Sequence, residues 1–117
     1  MQILLAHTPI TVIRPQNQLN AATAREFGLQ LSTTISAPGV VVVLVDLAQV
    51  KFIDSVGLMV LVAGLKQAKN LQRRFSICSV SPGIRMILEL SQLDRVFEIF
   101  ENVEIFEAEN QCLNSHE

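Results

Sequence analysis

Residues 40–64 constrain the fold of this chain more than any other segment. Residues 40–47 are apolar at nearly every position, a pattern typical of a central strand that is covered on both faces. A second short apolar segment follows, and then Asp54 and Ser55 begin an unusually apolar helical segment. A buried strand followed by such a helix predicts an α/β fold in which helices pack on a sheet.

Strands and helices are expected to alternate along the rest of the chain. Further strands are predicted at residues 2–6, 9–14, 74–80 and 96–100, the first two forming an antiparallel edge pair around a turn at residues 7–9. Helices are predicted from Leu19, with Asn20 as the cap, to a break at residues 37–39, and at residues 55–71, 82–90 and 102–111, the last one capped by Asn102. This order predicts a single domain with a mixed sheet of about five strands, joined by right-handed crossovers and covered by about four helices.

Charge and cysteine content argue against several classes of partner and site. The 117 residues include 9 basic and 11 acidic side chains without long runs, which give a net charge of −2 and no surface suited to nucleic acid or anionic lipid. Cys78 and Cys112 form no paired-spacing motif, so we expect neither a disulfide framework nor a metal site, and a cytoplasmic location. The apolar run before Lys66 is shorter than the roughly 20 residues of a membrane span.

The predicted helix at residues 55–71 has two apolar faces. The face expected to contact the sheet contains Leu58, Leu61, Val62, Leu65 and Ala68. On the opposite side, near Ser55, a second group forms an apolar patch that consists of Val56, Met59, Val60 and Ala63. Exposed apolar patches often mark interaction surfaces, which favours partner binding here. The alternative is that another helix of the domain covers this side.

Ser55 has three interpretations. Asp54 or Ser55 could simply cap the helix by accepting hydrogen bonds from its free N–H groups. A hydrolase nucleophile needs glycine two residues earlier, where the chain has Ile53, and neither His7 nor His116 is an evident base. A phosphate acceptor is the third: phosphate adds roughly −1.5 to −2 charge, which a helix N-terminus tolerates but a partner shaped for a neutral hydroxyl does not. We favour the acceptor and expect a binding switch, not an enzyme.

Residues 45–69, VDLAQVKFIDSVGLMVLVAGLKQAK, resemble the phosphorylation-site region of STAS domains, specifically of stand-alone bacterial anti-anti-sigma factors, also called anti-sigma factor antagonists. Asp46 matches the aspartate that ends the central strand, Asp54 and Ser55 the acceptor Asp-Ser, and Gly57 with Leu58 the following Gly-Leu. Residues 79–106 resemble the later strand, helix and closing strand-helix segment of the family. On this resemblance residues 1–110 form the STAS domain and residues 111–117 a polar C-terminal tail.

The resemblance implies a phosphorylation-controlled switch. The unmodified protein would bind an anti-sigma factor that is often also a serine kinase, and would thereby free a sigma factor; phosphorylation of Ser55 would reverse this, and a serine/threonine phosphatase would restore binding. Asp46, Asp54 and Gly57 would be neighbours of the acceptor, although each aspartate could equally be a strand-end or capping carboxylate. No cofactor or metal ion of its own is implied, because the kinase would supply nucleotide and metal.

Two departures from the family pattern are visible. Val56 stands where relatives commonly have a second Ser or Thr, and residues 14–19 lack the glycine that is frequent before the first helix. The same fold also serves in transporter modules and larger sensory complexes, so a constitutive STAS scaffold or adaptor is the alternative function. Arg73 and Arg74, the one basic pair, are interpreted as a solvated helix-to-strand junction, with a partner-contact site as the alternative.

Overall fold

The computed structural model describes residues 9–115, and within them each of the four helices follows one or two strands. The strands are β1 (Ile10–Ile13), β2 (Asn17–Leu19), β3 (Val42–Asp46), β4 (Val50–Ile53), β5 (Arg74–Cys78) and β6 (Glu98–Phe100). The helices are α1 (Ala24–Ser36), α2 (Ser55–Asn70), α3 (Pro82–Leu90) and α4 (Val103–Ser115), with a single 3-10 turn at Leu93–Arg95 between α3 and β6. The predicted strand at residues 2–6 and its turn lie outside the described residues.

The strands form two parallel sheets in the described part of the chain. The larger sheet has the order β1-β3-β5-β6, with Val43 of β3 aligned between Thr11 and Phe75. The smaller sheet pairs β2 with β4, and its register shifts between Asn17 and Gln18. Because parallel neighbours cannot be joined by a hairpin, the chain must cross over between them, and helices supply most of these connections.

Strand β3 is apolar almost throughout because helices cover both of its faces. All five of its residues are buried. Val43 and Val45 belong to the main core, which the buried faces of α1, α2 and α3 share. Val42 and Leu44 point the other way, into a second core that includes Phe106 of α4. The sequence-based interpretation of residues 40–47 as a doubly covered strand is therefore correct, with the strand itself spanning Val42–Asp46.

The predicted start of the first helix at Leu19 is wrong. Leu19 is the last residue of β2, where it pairs with Ile53 of β4, and α1 begins only at Ala24. Asn20 caps the intervening turn instead of the helix, since its Oδ1 accepts hydrogen bonds from the N–H groups of Ala22 and Thr23. The pairing partner of Leu19 lies far away in sequence, so the local apolar spacing could not reveal the strand.

Helix α4 is longer than predicted. It continues to Ser115 instead of ending near Gln111, and no glycine or proline in residues 111–115 interrupts it. Asn102 caps this helix as predicted, because its Oδ1 accepts a hydrogen bond from the Ile105 N–H at 2.8 Å. None of the helices within residues 9–115 is long and apolar enough to cross a membrane.

Arg73 and Arg74 lie at the helix-to-strand junction as predicted, but they are half-buried and both side chains bind other elements of the fold. The Arg73 guanidinium donates to the Ala37 carbonyl at 2.7 Å, and also to the Ile35 carbonyl near the end of α1. Arg74 donates to both carboxylate oxygens of Glu98, at 2.9 and 2.7 Å, and lies 4.7 Å from the centroid of the Phe106 ring. Sequence alone shows a charged pair and not these distant partners.

Candidate functional site

Asp54 caps α2, which leaves Ser55 as the first residue of the helix. Asp54 has extended backbone angles, with φ −111° and ψ −174°, and its Oδ1 accepts a hydrogen bond from the Gly57 N–H at 2.9 Å. This is the ordinary geometry of an N-cap carboxylate. Ser55 is exposed, and within residues 9–115 its hydroxyl makes no hydrogen bond. Of the two capping residues considered from the sequence, Asp54 therefore has that role.

Gly57 allows the first turn of α2 to lie directly against the end of β2. A Cβ atom built on Gly57 would lie 2.1 Å from the carbonyl oxygen of Leu19, far inside any real contact. The same carbonyl accepts a hydrogen bond from the Asp54 N–H at 3.1 Å. The Asp-Ser-x-Gly pattern thus has a local reason: the aspartate caps the helix, and the glycine lets the capped end approach β2.

The second carboxylate oxygen of Asp54 also binds a backbone amide. Its Oδ2 accepts a hydrogen bond from the Ala21 N–H at 3.3 Å, in the turn between β2 and α1. Each carboxylate oxygen therefore binds an amide, and neither has a hydrogen bond to the Ser55 hydroxyl. The carboxylate is thus a structural group beside Ser55 that holds two backbone amides.

Asp46 is engaged away from Ser55. It is 8% exposed, and its Oδ2 accepts a hydrogen bond from Arg14 Nε at 3.2 Å at the ends of β1 and β3. Its Oδ1 accepts from the Ala48 N–H at 3.0 Å and so fixes the turn that leads to β4. The structure brings Asp54, Ser55 and Gly57 together at the start of α2. The carboxylate of Asp46 instead binds Arg14 and Ala48, and β4 separates it from Ser55 along the chain. Its part in the acceptor site stays a prediction.

The inner face of α2 is buried largely as predicted. Leu58, Leu61, Leu65 and Ala68 are all buried, and Val62 is half-buried. Within the apolar patch, Val56 is 42% exposed, Met59 is 59% exposed and Ala63 is also exposed. Val60 is half-buried and faces Gly28 of α1. The predicted patch is thus open at three positions, and the alternative of cover by another helix applies to Val60.

Phe52 was missed from the sequence. It is 50% exposed on β4, two residues before Asp54, and pairs with Gln18 in the two-stranded sheet. An apolar residue in a predicted strand is normally expected to be buried. The neighbouring Lys51 gives no signal for it, because side chains alternate along a strand and an exposed Lys51 predicts a buried Phe52, whereas both are exposed. With Val56 and Met59, Phe52 gives exposed apolar side chains on both sides of Ser55 along the chain.

The described residues around Ser55 supply backbone amides, a capping carboxylate and apolar side chains. Both histidines of the chain lie outside the described residues. Within residues 9–115, no group of three or more His, Cys, Asp or Glu side chains could hold a metal ion. A cavity of about 160 Å³ lies between β2 and α1, lined in part by Gln16, Gln18, Thr23, Glu26 and Gln30, and it is open to solvent. The arrangement can present a hydroxyl and an apolar surface to a partner.

Known proteins resemble this chain in sequence and in fold. The anti-sigma F factor antagonist of Paenibacillus polymyxa is 23% identical over 96 residues, which are 82% of each chain. An anti-sigma-factor antagonist (STAS) domain protein from Planctomyces limnophilus superposes with a TM-score of 0.80 at 24% identity, covering 89% of this chain and 92% of that one. The Bacillus cell fate determinant SpoIIAA in its phosphorylated form superposes with a TM-score of 0.66 at 19% identity, covering 87% and 92%.

A family model also matches most of the chain. The model of the STAS domain matches residues 3–105, which include both sheets, α1 to α3 and the start of α4. The structural superpositions independently show the same fold. The chain therefore belongs to the STAS domain family.

Proposed function

We propose that this chain is an anti-sigma factor antagonist whose binding is controlled at Ser55. The unmodified form binds an anti-sigma factor and thereby frees a sigma factor, and phosphorylation of Ser55 releases the partner. The observation that carries the proposal is the state of Ser55: it is exposed, Asp54 has taken over the capping role, and apolar side chains lie beside it. The names of the relatives support the class of partner.

The helix N-terminus makes phosphorylation of Ser55 compatible with folding. The unpaired N–H groups at the start of α2 carry partial positive charge, which favours a phosphate there. A partner seated over Val56 and Met59 would have to desolvate that phosphate. Because each 1.4 kcal/mol of lost binding free energy lowers affinity about tenfold, even a modest mismatch is enough for release.

The partner supplies the chemistry in this proposal. The kinase brings the nucleotide, the metal ion and the base that accepts the Ser55 proton, while Asp54 holds the start of α2 through its two amide bonds. We therefore propose a binding module that is itself no enzyme, modified by a serine kinase and restored by a serine/threonine phosphatase. The alternative is a constitutive scaffold or adaptor, in which the apolar patch binds a partner regardless of the state of Ser55.

A pull-down from source lysate separates these functions. The baits are wild type, Ser55→Ala, Ser55→Glu and the control Thr33→Glu, which adds the same charge at an exposed position of α1. We expect wild type, Ser55→Ala and Thr33→Glu to capture a kinase-like protein that Ser55→Glu loses. Equal capture by all four folded baits would favour the constitutive scaffold.

A second comparison tests the apolar patch. Met59 on α2 and Met86 on α3 are 59% and 60% exposed, so a lysine at either position disturbs the fold to a similar degree. We expect Met59→Lys to weaken binding of the captured partner at least tenfold, about 1.4 kcal/mol, as for a residue central to an interface. Met86→Lys should bind as wild type does. If the two variants bind equally well, the patch beside Ser55 is not the docking surface.

A further inference from the structure

Asp54 connects the start of α2 to the turn at residues 20–23. The turn is held internally, because Asn20 Oδ1 accepts from the Ala22 and Thr23 N–H groups and Thr23 Oγ1 accepts from the Asn20 N–H. Within residues 9–115, the hydrogen bond that ties the turn itself to α2 runs from the Ala21 N–H to Asp54 Oδ2. One carboxylate therefore serves both the helix cap and the turn.

The two hydrogen bonds of this carboxylate differ in strength. The cap bond to the Gly57 N–H is 2.9 Å long and partly buried. The bond to the Ala21 N–H is 3.3 Å long and exposed, slightly beyond the usual N–H···O range of about 2.7–3.2 Å. A force that displaces the carboxylate will therefore break the bond to Ala21 before the bond to Gly57.

We infer that negative charge on Ser55 loosens the turn at residues 20–23 through Asp54. This inference rests on the proposed function and describes how the same site is regulated. A phosphate on Ser55 repels the adjacent carboxylate and competes for the positive start of α2. Ala21 and Ala22 are exposed in the turn that follows β2, and the Ala21 N–H binds Asp54, the residue before Ser55. Phosphorylation then changes two parts of one docking surface: the acceptor itself and the turn beside it.

Amide exchange in the isolated protein tests this coupling. Solvent exchange of the Ala21 N–H is measured by NMR at pH 7 in wild type, in protein carrying phosphoserine at position 55, and in Asn70→Glu, which adds charge at the far end of α2. We expect exchange of Ala21 to accelerate about tenfold with phosphoserine, which carries nearly two charges. Exchange of Gly57 should stay at the wild-type rate, and Asn70→Glu should change neither amide.

The variant Asp54→Ser completes a double-mutant cycle. Serine keeps the N-cap acceptor but is too short to reach the Ala21 amide as well. We expect Asp54→Ser to accelerate exchange of Ala21 by itself, and phosphoserine to add nothing further in that background. An equal phosphoserine effect in both backgrounds, or none in the wild-type background, overturns the coupling. Either result leaves the proposed function to be judged by partner capture, because no partner is present in this experiment.

Discussion

Substitution of Gly57 by alanine tests the close approach that positions Ser55. The added Cβ would lie 2.1 Å from the Leu19 carbonyl oxygen, whereas close carbon-to-oxygen contacts in proteins are about 3.3 Å. The start of α2 must therefore move by roughly 1 Å, because the obstacle is backbone and cannot rotate away. Such overpacking costs about 1–3 kcal/mol.

Two further effects determine the net change in unfolding free energy for Gly57→Ala. Moving α2 weakens the bond from the Asp54 N–H to the Leu19 carbonyl, which contributes about 1 kcal/mol. Replacing glycine by alanine within a helix stabilises the folded state by up to about 1 kcal/mol. The expected result for Gly57→Ala is therefore a loss of about 2 kcal/mol of unfolding free energy, a large part of the roughly 5–15 kcal/mol of a typical domain.

Gly28→Ala is the matched control within α1. A Cβ on Gly28 would lie 3.7 Å from Val60 Cγ1, an ordinary van der Waals contact. This variant should gain about 0.5–1 kcal/mol, because alanine favours the helix and nothing must shift. Urea unfolding followed by circular dichroism measures both variants against wild type. If Gly57→Ala is as stable as Gly28→Ala, the close approach of α2 to β2 does not exist as described.

Three other perturbations have expected outcomes. Hydrogen bonds from Arg74, aided by one from Ser76, lower the pKa of Glu98 despite its partial burial. The stability that Glu98 adds is therefore present at neutral pH and is lost as pH falls through this lowered pKa. The variant Glu98→Gln should be less stable than wild type by about 1 kcal/mol at pH 7, after allowance for solvent screening, and the gap should close in acid; a gap that grows in acid would contradict the sign. Arg73→Met should lose about 1–2 kcal/mol in urea unfolding, because two carbonyls at the end of α1 lose their donor, and an unchanged midpoint would show that those bonds contribute nothing. Asp54→Ala should lose about 1 kcal/mol while Asp54→Ser stays within a few tenths of wild type in thermal unfolding, and equal losses would contradict the capping role.

Local patterns in the sequence predicted much of this fold. The apolar run of β3, the cap and glycine at the start of α2, and Pro82 at the start of α3 are signals carried within a few residues. Helix α3 was predicted with its observed bounds, because Ser81 caps it and proline at the first position is typical of a helix start. Elements of this kind depend little on distant partners.

Features that depend on distant partners could not be predicted. Leu19 belongs to a strand only because β4 lies beside it, and its apolar spacing suited a helix equally well. The partner of Asp46 is Arg14, 32 residues earlier, and the partners of Arg73 lie 36 and 38 residues earlier in the sequence. The sequence predicted that Ser55 begins a helix, as it does in α2, but only the fold shows that Asp54 serves two elements and that Phe52 is exposed.

An affinity comparison shows whether phosphorylation of Ser55 controls partner binding. The captured partner is titrated with unmodified protein and with protein carrying phosphoserine at position 55, both shown to be folded by circular dichroism. We expect the dissociation constant to rise at least tenfold on phosphorylation, about 1.4 kcal/mol of binding free energy. Equal dissociation constants for the two forms would show that phosphorylation of Ser55 does not release the partner. Ser55 would then be an exposed residue of a constitutive adaptor.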